Sequence, residues 1–107
     1  MMQVFKEIEV ADLASMLEDT DHSVSLIDIR NPAEAQRESI PGARNVPMHQ
    51  LSKQLDEVQK TQVVVLYCQV GLLSAQACAY LSVSGFDNVH NLRGGIQAWK
   101  SSGLAVA

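Results

Sequence analysis

Val63-Val64-Val65-Leu66-Tyr67 is an unbroken apolar run, bounded by Lys60-Thr61-Gln62 on one side and by Cys68 on the other. Its length and β-branched content predict a strand buried on both faces, the central strand of a parallel sheet. Val24-Ser25-Leu26-Ile27-Asp28-Ile29 has the same character and predicts a second buried strand. Phe5 to Ile8, Arg44-Asn45-Val46 and Val89 to Leu92 are shorter strand candidates. Helical spacing falls between them. Leu13, Met16 and Leu17 stand at i, i+3, i+4, and Leu51, Leu55 and Val58 predict a helix between Met48 and Val58. Asn31-Pro32-Ala33-Glu34 opens another: Asn31 can cap, Pro32 suits the first helical position, and Glu34 can reach back to the cap. Ser74 is placed to cap a helix through Tyr80-Leu81 that ends near Gly85, and Gly94-Gly95 leads into Ile96 to Lys100. Strands alternating with helices define an α/β domain with a mainly parallel sheet.

At 107 residues and 11.7 kDa the chain fits one domain, residues 1–107, and leaves no room for a second core. Hydrophobic residues at 47% and charged residues at 19% argue against disorder. A net charge of −4 and a pI of about 5.2 leave no cationic surplus, so no nucleic-acid partner and no anionic membrane surface is expected. The segment from Met1 to Ile8 lacks the apolar run of a signal peptide, and no stretch approaches about 20 apolar residues. A cytoplasmic location is the simplest expectation. His22, His49 and His90 are dispersed without metal-ligand spacing, so no metal is expected.

Two cysteines, Cys68 and Cys78, are too few for a disulfide framework or a four-thiolate zinc site. Cys78 lies among Ala75, Ala77 and Ala79 on the predicted helix and reads as a core thiol. Cys68 ends the central strand, at the carboxyl edge where open α/β sheets bind ligands. The following Gln69-Val70-Gly71-Leu72-Leu73-Ser74 runs from strand to helix, with Gly71 able to take backbone angles that a Cβ resists. Such a loop can turn its N–H groups on one point and stabilise a thiolate, a persulfide or an oxyanion there. A buried core cysteine closing the strand is the competing reading.

Four blocks then resemble the single-domain rhodanese-like family, in order and over almost the whole chain. They are Leu26-Ile27-Asp28-Ile29-Arg30-Asn31-Pro32-Ala33-Glu34, Ile40-Pro41-Gly42-Ala43-Arg44-Asn45-Val46-Pro47, Val65-Leu66-Tyr67-Cys68-Gln69-Val70-Gly71, and Gly85 through Trp99 with Leu92-Arg93-Gly94-Gly95. The resemblance implies a five-stranded, mainly parallel sheet flanked by helices on both faces. It also implies sulfurtransferase chemistry, in which Cys68 takes sulfane sulfur as a persulfide and hands it to a thiol, cyanide or protein acceptor. The covalent persulfide then needs no separate cofactor. Donors in the family include thiosulfate and low-molecular-weight or protein persulfides, and a protein sulfur carrier is a possible partner. For the chain itself a monomer or weak homodimer is expected.

Two departures from the family pattern matter. Members with good thiosulfate activity commonly carry a basic residue inside the loop, where Gln69, Val70, Leu72 and Leu73 are uncharged. Weak thiosulfate turnover is expected. Arg93, beside Gly94 and Gly95, and Arg30, after Asp28, could supply charge at the sheet edge, with Arg30 expected rather to pair with Asp28 or Glu34 and support the loop. The second departure is Ser39, which stands where the family often has a histidine near the mouth. Of Leu72 and Leu73, one is expected to pack inward, while an exposed pair would suit a protein or apolar donor. A cysteine phosphatase would need an arginine at Ser74. The alternative from another class is a weak or inactive rhodanese-like binding or regulatory module.

Overall fold

The computed structural model describes residues 5–19, 23–55 and 63–107. Five strands form one sheet in the order β1-β5-β4-β2-β3, where β1 is Lys6–Ile8, β2 Val24–Asp28, β3 Arg44–Asn45, β4 Val63–Tyr67 and β5 Val89–Leu92. Every pairing is parallel. The expected central strand is central: β4 lies between β5 and β2, with Val65 opposite His90 and Leu26.

Alternation along β4 divides the core in two. Val64 and Leu66 face one side with Ala77, Cys78 and Leu81 of α4 (Leu72–Val83) and Leu51 of α3 (Leu51–Leu55). Val65 and Tyr67 face the other side with Leu13 of α1 (Val10–Glu18) and Ile96 and Trp99 of α5 (Gly95–Ser101). Neighbouring side chains on a strand point to opposite faces, so one apolar run serves both cores. Trp99 anchors the second core, and its Nε1 donates to the carbonyl of Ala105 at 2.9 Å.

The remaining helix, α2, covers Pro32–Arg37. Asn31 caps it as expected, its side chain accepting the Glu34 N–H at 2.9 Å with Pro32 in the first turn. Three expectations need correction or restriction. The segment after Pro47 begins as a 3₁₀ turn, Met48–Gln50, before α3, and Val58 lies outside the described residues. His22 also lies outside them. Ser74 does not cap α4: Gly71 does, at φ 92°, so the helix starts three residues earlier than the capping preference of serine suggests. A left-handed glycine lets the loop turn sharply into the helix, which puts Ser74 inside the first turn.

Candidate active site

Cys68 follows β4 directly and is buried, with its sulfur at the centre of the loop. The N–H of Gly71 donates to Sγ at 3.2 Å and that of Ser74 at 3.4 Å, and the Ser74 hydroxyl lies 3.2 Å away. Burial alone would push the thiol up. The loop contacts at Ser74, Gly71 and Val70 outweigh it, so Cys68 lies below its ordinary value.

The carbonyls at the start of the loop are held from the other side, which fixes the peptide planes that carry the Gln69 and Val70 N–H groups. The N–H of Ile96 donates to the Cys68 carbonyl at 3.0 Å, and the N–H of Gln97 to the Gln69 carbonyl at 3.0 Å. Both donors belong to the first turn of α5, where backbone N–H groups have no helical partner. The approach requires glycine at position 95: a Cβ there would stand 2.5 Å from the Cys68 carbonyl oxygen and 2.6 Å from that of Gln69. Gly94 also has positive φ and caps α5. Gly94 and Gly95 thus support the loop from behind.

On the open side, a cleft of about 530 Å³ is lined by Cys68, Gln69, Val70, Leu72, Leu73 and Gln76, and opposite them by Ile29, Arg30, Asn31 and Glu34. Arg30 reaches it as a cation already engaged. Its Nε and Nη2 donate to the Asp28 carboxylate at 3.0 and 2.8 Å, Nη2 also donates to the Glu38 carbonyl at 2.6 Å, and Nη1 donates to Gln69 Oε1 at 3.2 Å. Asp28 and Arg30 are both buried. The pair, expected from the sequence as a loop support, also ties the β2 edge to the Cys68 loop through Gln69.

Other positions differ from expectation. Arg93 does not line the cleft: it is exposed and faces the carboxylates of Glu7 at 3.8 Å and Glu9 at 3.2 Å. The acidic residues of the first strand region draw it to β1, the neighbour of β5. Ser39 lines a different depression, beside Asp28, Pro32 and Asn45, and exchanges backbone hydrogen bonds with Ala107. Neither leucine packs inward, Leu72 being 71% and Leu73 56% exposed, because the early start of α4 turns both outward. With Val70 they make an uncharged apolar rim. Cys78 is a fully buried core thiol, raised to about 12 by burial and, less strongly, by the charge of Glu7. Both cysteines are free.

Sequence reasoning missed Asn91. It is 1% exposed, accepts a 2.5 Å hydrogen bond from the Ser74 hydroxyl, and donates through Nδ2 to Glu7 Oε2 at 3.0 Å and to the Gly71 carbonyl at 3.2 Å. The available signal was a polar side chain inside the apolar strand Val89-His90-Asn91-Leu92, since buried amides need partners.

A parallel α/β sheet with a low-lying thiol in a ring of N–H groups at its carboxyl edge defines a cysteine-centred anion site. The chain belongs to the rhodanese-like domain family, whose profile matches residues 9–102. It is 46% identical over 100 residues to a sulfurtransferase of Allochromatium vinosum, covering 94% of this chain and 92% of that one. Similarity to the thiosulfate sulfurtransferase GlpE of Pseudoalteromonas translucida is 31% over 98 residues, covering 92% and 91%. A rhodanese-related protein from Thermoplasma volcanium superposes with a TM-score of 0.84 at 28% identity, over 96% of this chain and 98% of that one. The class is therefore that of sulfurtransferases. Among the described residues, no helix is long and apolar enough to cross a membrane, and no cluster of three metal-ligating side chains occurs.

Proposed function

We propose that the protein carries sulfane sulfur as a persulfide on Cys68. The single observation that supports this reading is the ring of donors around Sγ, from Gly71, Ser74 and Val70. In the first half-reaction the Cys68 thiolate attacks the outer sulfur of a donor. A new S–S bond forms, the donor's own bond to that sulfur breaks, and the donor's remainder leaves with the bonding pair as sulfite or a thiolate. In the second, a nucleophilic acceptor takes the outer sulfur and the Cys68 thiolate is released, a ping-pong sequence. The persulfide is itself the carrier, so no further cofactor enters.

The rim bears on donor choice. Among the described residues, the one cation lining the cleft, Arg30, is paired with Asp28, and Glu34 adds a carboxylate. A dianion such as thiosulfate gains little there, whereas an organic or protein persulfide can bury apolar surface against Val70, Leu72 and Leu73. Such donors are favoured over thiosulfate, with thiols, cyanide or a protein as acceptor.

Mass spectrometry after incubation with thiosulfate, glutathione persulfide or a protein persulfide tests both parts. One added sulfur on Cys68, lost in Cys68→Ser, is the expected outcome. Absence of an adduct from every donor would sink the transfer reading and leave a binding role, and preference for thiosulfate would contradict the reading of the rim.

A further inference from the structure

The Ser74 hydroxyl has one proton and two claimants. Asn91 Nδ2 faces Glu7 Oε2 and the Gly71 carbonyl, at 3.0 and 3.2 Å. A carboxylate and a peptide carbonyl can only accept, so the amide cannot flip, and Oδ1 must face Ser74. Oδ1 in turn can only accept. The 2.5 Å contact therefore uses the Ser74 proton, and the Cys68–Ser74 contact at 3.2 Å is left with the thiol as donor and Ser74 Oγ as acceptor. The hydrogen bonds run one way, from the Cys68 S–H to Ser74, to Asn91 and, through the amide, to Glu7.

That direction suits a protonated sulfur. When the thiol gives its proton to solvent, the anion needs Ser74 to turn and donate to it, and the turn strands Asn91 Oδ1, which is buried. A persulfide makes no such demand. Its inner sulfur is neither protonated nor charged, so Ser74 can stay with Asn91 while the outer sulfur takes the loop N–H groups. We infer that Asn91, held by Glu7 and the Gly71 carbonyl, is a positioning residue that withholds the Ser74 proton from unloaded Cys68 and so restrains the empty site more than the loaded one.

The other charged and titratable groups about the site are Arg30 and Glu34 across the cleft, Asp28 paired behind Arg30, Glu7 at the far end of the Asn91 chain, Tyr67 next to Cys68 in sequence but in the opposite core, and Cys78 in the same core. All remain in the variants below. Cys68 alkylation by iodoacetamide, followed against pH by mass spectrometry, reads its ionisation without any sulfur donor. Its failure and failure of persulfide loading are thus separate results. Asn91→Leu frees the Ser74 proton, and the midpoint is expected to fall by about half a unit to one unit, the size of one net hydrogen bond. Simple loosening of the loop would move it the other way, toward an ordinary cysteine. Ser74→Ala is expected to shift the midpoint by less than about half a unit in the wild-type chain, and by clearly more in the Asn91→Leu background. An unchanged or raised midpoint in folded Asn91→Leu, or equal Ser74→Ala effects in both backgrounds, would overturn the inference. Should Asn91→Leu not fold, Ser74→Ala decides alone: a rise of about one unit or more in the wild-type chain means the hydroxyl already served the sulfur.

Discussion

Arg30 and Asp28 show how one pair of residues can be both structural and part of the cleft. Both are buried, and every donor direction of the guanidinium used here ends on a carboxylate, a carbonyl or Gln69. The Asp28 side-chain bond and burial act oppositely on Arg30, and the bond prevails, raising it above its ordinary value. Removing one partner leaves the other as an uncompensated buried charge. Arg30→Met should therefore destabilise the fold by about 3–5 kcal/mol in urea denaturation. Adding Asp28→Asn should recover part of that loss. A loss below about 1 kcal/mol for the single variant would mean that solvent reaches Asp28 and screens it.

The first turn of α4 is the element where sequence and structure part most usefully. The apolar period along β4 and the serine and glycine signals around 71–74 were enough to find a strand ending at Cys68 with a loop and a helix after it. They did not place the cap, because glycine at positive φ and serine compete for that role and only three-dimensional closure of the loop chooses between them. Leu72 and Leu73 follow from that choice. Both point outward, and substitutions there act on the cleft rather than the core. Leu73→Arg should leave stability within about 0.5 kcal/mol. It should raise thiosulfate loading of Cys68 by about twofold to fivefold, since a partly exposed cation near a helix start adds only a fraction of a kcal/mol to anion binding. Level or falling loading would show that charge is not what limits thiosulfate.

Across the sheet, the first described strand, β1, sits at one edge and pairs with the last, β5. Arg93 with Glu7 and Glu9, and Asn91 with Glu7, are contacts between those two strands' neighbourhoods. No local spacing carries such pairings. This is why Arg93 could be misassigned to the mouth and Asn91 overlooked while the order of elements was legible throughout.

The two cysteines also give the molecule opposite responses to pH. Cys78 moves from 9.0 to about 12, so the unfolded chain loses its proton first and stability falls as pH rises between those values. The slope from this group is at most about 1.4 kcal/mol per pH unit. Tyr67, raised mainly by burial, steepens the fall above its ordinary 10.0. Cys68 works the other way: its contribution is present above 9.0 and is lost as pH falls through its lower folded value. Urea unfolding across the alkaline range should show the decline, and Cys78→Ala should flatten it. An equally steep decline in that variant would assign the effect to Tyr67.

The hold of α5 on the carbonyls of Cys68 and Gln69 has a consequence during synthesis. A chain leaving the ribosome presents Cys68 long before Ile96 and Gln97 exist to take those oxygens. Until residue 97 has emerged, the carbonyls of Cys68 and Gln69 lack the partners that hold them in the folded chain. The hold of α5 on the loop is thereby confined to chains in which α5 has been made.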